Sequence, residues 1–289
     1  MYRYPDAIVE TGWLADNLDD PNLRIFDCTT HLRDATEPGQ PYRVESGRAD
    51  YDLGHIPGAG FLDLQGELSE SGSKFRFMAP SAEQFAAAMS AHGVGDDSRV
   101  VLYSTAKAQW ATRIWWMLRA FGFDNAAVLN GGWQKWRAEK RALSTQPAIP
   151  ATATFTAHPR AGFLVGPDTV RQAIGDGAVC TINALSPELH RGDSARYGQP
   201  GRIPGSVNVP AASLLDPVDN TFAKAEEVAA HFANAGATSD KKTIPYCGGG
   251  IAATLDAFLL HQLGYTDIAV YDGSMSQWAT DKSVPIETG

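Results

Sequence analysis

The chain has 289 residues, 44% of them hydrophobic and 20% charged, which is an ordinary globular balance and a length that suits two domains. Its 24 Lys and Arg against 33 Asp and Glu leave a formal charge of −9 with no basic block, so nucleic acid is not an expected partner. No apolar run is long enough to cross a membrane, the start (Met1-Tyr2-Arg3-Tyr4-Pro5-Asp6) has no apolar secretory core, and three scattered cysteines with no CxxC exclude a disulfide framework or a zinc site and point to a reducing cytosol.

In chain order, the short apolar run 23–28 reads as a buried strand. Ser81-Ala82-Glu83-Gln84 is a capping box that opens a helix to about His92. A strand at 99–103, a helix at 109–121 and a strand at 126–129 follow, then glycine and a short helix bearing Trp136. Residues 144–160 carry Pro147, Pro150 and Pro159, which keep the chain extended, and read as a linker. The same order then returns: strand 178–182, helix 223–235, strand 243–246, helix 251–263, strand 268–271, glycine and Trp278.

The return is an internal repeat. His55-Ile56-Pro57-Gly58 recurs as Arg202-Ile203-Pro204-Gly205, 147 residues on, and Trp136 recurs as Trp278, 142 residues on. The drift marks small deletions in loops. Residues 1–143 and 161–289 are therefore read as two copies of one α/β domain, each a mainly parallel sheet with helices on both faces. Ligands of such sheets bind beyond the carboxyl ends of the strands.

At one such end stands Tyr246-Cys247-Gly248-Gly249-Gly250-Ile251-Ala252. Three glycines let the backbone curl so that amides face one centre, and the next helix adds its positive N-terminal end. A thiol there is expected to be acidic and nucleophilic. The repeat places Ser104 opposite Cys247, in a loop reading Thr105-Ala106-Lys107-Ala108 with neither thiol nor glycines. One live site and one silent copy is the simplest reading. Cys28 and Cys180 lie at strands without a glycine cradle and read as packing residues.

The paired Ile-Pro-Gly motifs, the single cysteine loop in the second half, and Asp272-Gly273 ahead of Trp278 resemble the two-domain rhodanese-like sulfurtransferases, over nearly the whole chain. The resemblance implies two tandem rhodanese-like domains, the first non-catalytic and the second catalytic. It implies that Cys247 takes a sulfane sulfur from a small anionic donor, 3-mercaptopyruvate or thiosulfate, and passes it to a thiol or cyanide, with no cofactor. Gly248, Gly249, Gly250, Ile251 and Ala252 would form the substrate cradle. Arg191, which matches a family arginine, and Arg202 would bind the donor, with Arg196 ranked behind them.

Departures from the family pattern are specific. Gly249 and Ala252 stand where mercaptopyruvate-type loops carry serine and threonine, so a hydroxyl relay is missing. Gln65 and Phe77 stand where that branch carries an aspartate and a histidine, and Leu185 stands at a family arginine. The loop has no charge, so mercaptopyruvate is expected to be favoured over thiosulfate. A non-enzymatic sulfur carrier or interaction module is the alternative. A Cys-x5-Arg phosphatase is excluded, because Ala252 and Ala253 occupy the positions of its arginine.

Overall fold

A computed structural model describes residues 1–35, 40–105, 107–150 and 152–289. Ala106 of the first-half loop and Ala151 of the linker stretch lie outside them. The first half runs β1 (Ile8–Val9), α1 (Thr11–Asp16), β2 (Leu23–Asp27), β3 (Thr30–Arg33), β4 (Arg43–Ser46), α2 (Arg48–Leu53), β5 (Ala59–Phe61), α3 (Ala82–Ala91), β6 (Arg99–Tyr103), α4 (Gln109–Ala120), β7 (Ala126–Leu129) and α5 (Gly132–Ala138). Five of these strands form a parallel sheet in the order β1-β7-β6-β2-β5. The strands β3 and β4 form a separate antiparallel hairpin that the sequence reading did not anticipate.

The second half runs β8 (Leu164–Val165), α6 (Pro167–Ala173), β9 (Val179–Asn183), α7 (Pro187–Arg191), β10 (Val207–Asn208), α8 (Ala225–Asn234), β11 (Lys242–Tyr246), α9 (Ala252–Gln262), β12 (Val270–Tyr271) and α10 (Ser274–Trp278). Its parallel sheet is split into β10-β9-β11 and β12-β8. One bridge, between Thr243 and Ile268, spans the split, with Thr243 N donating to Asp267 O at 2.9 Å and Ala269 N to Thr243 O at 2.9 Å. Pro245 explains the break. It occupies the place of Leu102, which pairs with Val128 in the first half, and proline has no N–H for the next bond to β12. Strand order is thus the same in both halves.

The Ile-Pro-Gly motifs do the same job twice. Ile56 and Ile203 are fully buried, and their amides donate to the Tyr103 and Tyr246 hydroxyls. Gly58 and Gly205 both take a positive φ, of 78° and 72°, which only glycine adopts freely. Residue His55 pairs with Ser144, and its repeat partner Arg202 pairs with Glu287. Trp136 and Trp278 are buried against their own sheets and donate to Ala142 O and Pro285 O respectively. Ser81 accepts from Gln84 N, but the Gln84 side chain donates to Glu67 O and Ser69 O, so only half of the capping box forms.

Residues 155–160 carry no helix or strand and are docked on the first half. Phe155 is buried against Phe85 and Phe123, His158 N donates to Phe121 O, and Arg160 clasps Asp124 with two bonds. The halves meet through α4 and α9. Thr112 Oγ1 lies 3.0 Å from Thr254 Oγ1, and Arg119 lies 2.6 Å from His261. Both are repeat-equivalent pairs. Equivalent residues touch only near a two-fold axis, so the halves are arranged like a symmetric dimer in one chain.

Helix α9 holds one uncompensated group. Asp256 is fully buried with no partner for either carboxylate oxygen among the described residues, and burial pushes its carboxyl well up. An acid raised in the folded state holds its proton there after the unfolded chain has lost it. Stability is then greatest below the ordinary aspartate range near 4 and falls as pH rises toward the folded value. Asp256→Leu should remove that fall and stabilise the protein at neutral pH by about 1–3 kcal/mol. Urea denaturation at acidic and neutral pH checks it, and a lower neutral-pH stability in the variant contradicts it.

Candidate functional site

Cys247 follows β11, and its loop runs directly into α9. The residue is buried, at 2% exposure, and borders a cavity of about 610 Å³ at the seam between the halves. The second half contributes Leu185, Tyr197, Ser213 and the loop residues Cys247, Gly248, Gly249, Ile251 and Ala252. The first half contributes Leu32, Tyr42, Phe77, Lys107 and Gln109. Leu185 therefore places an apolar side chain in the wall, and so does Phe77, whereas Gln65 lines a different cavity.

Ser274 shapes the loop. Its hydroxyl accepts from Cys247 N at 3.0 Å and Gly250 N at 3.1 Å, and donates to Tyr271 O at 2.8 Å. Ser274 holds φ at +47°, a conformation taken at the equivalent first-half position by Gly132, at +51°. A serine in that strained region is retained where its hydroxyl has work to do. Two of the loop amides are thus engaged. Those of Gly248, Gly249, Ile251 and Ala252 donate to no protein acceptor among the described residues, and they stand at the N-terminal end of α9.

The three glycines have three different reasons. A Cβ on Gly248 would run into the Tyr197 hydroxyl. A Cβ on Gly249 would sit 3.4 Å from the Tyr42 hydroxyl. Gly250 has φ +72°, and a Cβ there would strike the Asp272 carbonyl. Gly250 faces the protein interior and does not line the cavity, which corrects its assignment to the substrate cradle: its amide is held by Ser274 and its carbonyl by Arg113.

Arg113, on α4, is completely buried. Its Nη1 lies 2.7 Å from Asp272 Oδ1, and it donates to Gly250 O at 3.2 Å and to Phe77 O at 2.5 Å. Asp272 Oδ2 in turn accepts from Ala79 N at 2.8 Å. One ion pair thus joins the first-half helix, the 77–79 segment and the cysteine loop.

The two expected donor-binding arginines are elsewhere. Arg202 binds Glu287, Gly289 O and His190 O, as the second-half counterpart of the buried His55 that ties down Ser144. Arg191 ends α7 and pairs with Asp193 at 2.7 Å. Neither lines the cavity, because both charges are already engaged within the second half. Cations near Cys247 include Lys107 in the wall, Arg196 over the Tyr42 ring at 5.8 Å, and Arg76, whose carbonyl lies 3.8 Å from the place of a Gly249 Cβ; none of the three makes an ion pair among the described residues. In the first-half loop the Ser104 hydroxyl donates to Lys107 O at 2.6 Å.

Tyr42 is buried beside the loop, and desolvation, then the Cys247 charge, push its phenol up to about 12. Tyr197 is shifted in the same direction by burial, Tyr42 and Cys247. Cys28 and Cys180 are buried away from this cavity, and burial raises both thiols. Sequence reading missed Tyr42, Tyr197, Arg113, Ser274 and Lys107. Only Ser274 left a signal, as the serine aligned with Gly132. Tyr42, Arg113 and Lys107 act across the seam, and Tyr197 reaches the loop from an irregular segment 50 residues earlier, at distances in sequence that no motif spans.

Removing one partner of a buried ion pair leaves the other charge unpaired and costs about 3–5 kcal/mol. Arg113→Met and Asp272→Asn should each destabilise on that scale, and the double variant by less than the sum. A denaturation cycle checks this, and additive effects contradict the coupling.

The model of the rhodanese-like domain matches residues 10–139 and 170–281. Thiosulfate/3-mercaptopyruvate sulfurtransferase 2 of Arabidopsis thaliana is 33% identical, over 97% of this chain and 86% of its own. The sulfur carrier protein TtuD of Thermus thermophilus is 31% identical, over 100% and 99%. The crystal structure of SseA from Escherichia coli, described as a 3-mercaptopyruvate sulfotransferase, superposes with a TM-score of 0.78 and 29% identity, covering 93% of this chain and 98% of that one. Matched twice by one domain model and followed by sulfur-transferring relatives along nearly its full length, the chain belongs to the rhodanese-like family.

Proposed function

We propose that the protein moves a sulfane sulfur from a small anionic donor to a thiophilic acceptor through a persulfide on Cys247. The observation that carries this reading is the placement of Cys247, a thiol at a cavity wall, beside unengaged amides at a helix N-terminus. The Cys247 thiolate attacks the donor's outer sulfur and a new S–S bond forms. The old bond to that sulfur breaks, and its electron pair leaves with sulfite from thiosulfate, or with the enolate of pyruvate from 3-mercaptopyruvate. A thiolate or cyanide then takes the terminal sulfur and restores Cys247. Loop amides stabilise the anionic sulfur, and the chemistry needs no cofactor.

Donor recognition falls first to Lys107, the cation that lines the cavity, and then to Arg196, which lies over the Tyr42 ring. Lys107 stands in the first-half wall rather than in the loop, which suits a carboxylate held away from the reacting sulfur. 3-Mercaptopyruvate is therefore the favoured donor. On this reading residues 1–143 form the non-catalytic domain, 144–160 the connection and 161–289 the catalytic domain. The three unpaired cysteines suit a reducing cytosol. A second reading, a sulfur carrier with little turnover of its own, is favoured by the uncharged loop and by the likeness to TtuD.

Incubation with donor should add the mass of one sulfur atom to the Cys247 peptide, and cyanide should remove it as thiocyanate. Cys247→Ser should abolish both, and sulfur found on Cys28 or Cys180 instead contradicts the assignment. Stable loading without turnover selects the carrier reading.

In steady-state assays Lys107→Ala should raise KM roughly tenfold, equivalent to about 1.4 kcal/mol. Arg191→Ala should leave KM near the wild-type value. A kcat/KM for thiosulfate well above that for mercaptopyruvate reverses the proposed preference.

A further inference from the structure

The loop carries no hydroxyl of its own at Gly249 or Ala252, yet hydroxyl oxygens are present beside it. The Tyr197 hydroxyl fills the space a Gly248 side chain would need, and the Tyr42 hydroxyl stands at contact distance from the place of a Gly249 Cβ. Both phenols line the cavity that Cys247 borders. They meet each other edge to face, with ring centroids 6.5 Å apart. Tyr42 comes from the first half, just ahead of β4 on the connection from β3, and Tyr197 from the irregular segment between α7 and β10.

We propose, resting on the Cys247 persulfide reading, that Tyr42 and Tyr197 are hydrogen-bond donors to the anionic sulfur at Cys247, supplying from two distant segments the hydroxyls that the glycine loop lacks. The O–H bonds stay intact; the phenols stabilise the thiolate before transfer and the terminal persulfide sulfur after it, as oxyanion-hole donors stabilise oxygen. Three further observations support the assignment. Burial and the nearby sulfur charge keep both phenols protonated, which a donor requires. Tyr197 Oη makes no hydrogen bond among the described residues, so its hydrogen is available. The Arg196 guanidinium lies over the Tyr42 ring, 5.8 Å from its centroid. The glycine at 248 then follows from the phenols: a side chain there would displace the Tyr197 hydroxyl that serves the sulfur.

The test begins with wild-type protein and mass spectrometry of the Cys247 peptide after donor treatment. Failure to load sulfur there defeats the persulfide reading itself. Given loading, Tyr42→Phe and Tyr197→Phe keep the rings and remove only the hydroxyls. Each should lower kcat by about 10²-fold with KM and Tm close to wild type. Each should also slow alkylation of Cys247 by iodoacetamide at fixed neutral pH, because a less stabilised thiolate is less populated. Unchanged kcat in both variants overturns the proposal while leaving the persulfide intact. Should Tyr42→Phe also lose stability, Gly249→Ser in that background returns a hydroxyl to the vacated space. Recovered kcat supports the proposal, and a folded double variant without recovery overturns it for Tyr42.

Discussion

The buried pair of Arg113 and Asp272 is the contact on which the site depends. A guanidinium with no exposure is tolerable only if its charge is paired, and Arg113 meets that condition although its Nε has no hydrogen-bond partner among the described residues. Here Asp272 meets the charge, and the carbonyls of Gly250 and Phe77 take two of the N–H groups. Those three partners belong to the end of a second-half strand, the cysteine loop and a first-half segment. Satisfying one arginine therefore aligns the cavity wall bearing Phe77 with the loop bearing Cys247. Specificity of arrangement, more than net stability, is what such a pair contributes.

Around that pair the two copies of the repeat have taken different tasks. The second-half loop keeps the thiol, and Ser274 takes up a conformation that the first half leaves to Gly132, bracing the loop through two amides. The first-half loop has closed its serine onto its own backbone and extends Lys107 into the other copy's cavity. A pseudo-symmetric seam makes this possible, because each cysteine-loop position faces the opposite half across α4 and α9. The hairpin β3–β4, which has no second-half equivalent, adds Tyr42 to the same wall.

The scaffold charges illustrate the same division. Arg202 resembles a substrate ligand when only its neighbours in the chain are considered. Its repeat partner is the buried His55, and both serve to tie an Ile-Pro-Gly segment to the end of their own half. Arg196 has no such duty and lies beside Tyr42. For Arg202 the repeat partner thus reveals a scaffold role that its own sequence neighbours do not show.

The sequence by itself determined the duplicated α/β plan, the alternation of strands and helices along each half, the Ile-Pro-Gly turns and the cysteine loop, whereas the order of strands within each sheet came only with the structure. Each of these is encoded locally, in apolar runs, capping residues and glycines whose spacing repeats, and local encoding is what periodicity and self-comparison detect. Tertiary structure alone decided that Tyr42, Phe77 and Lys107 share a wall with Cys247, that Arg113 is the buried brace, and that Arg191 and Arg202 face other partners. Those outcomes depend on how the two halves dock, which is set by side-chain complementarity between α4 and α9 over separations of more than a hundred residues. The split of the second sheet at Pro245 lies between the two. Its cause is a single residue visible in the sequence, but its consequence required knowing which neighbour that missing N–H would have faced.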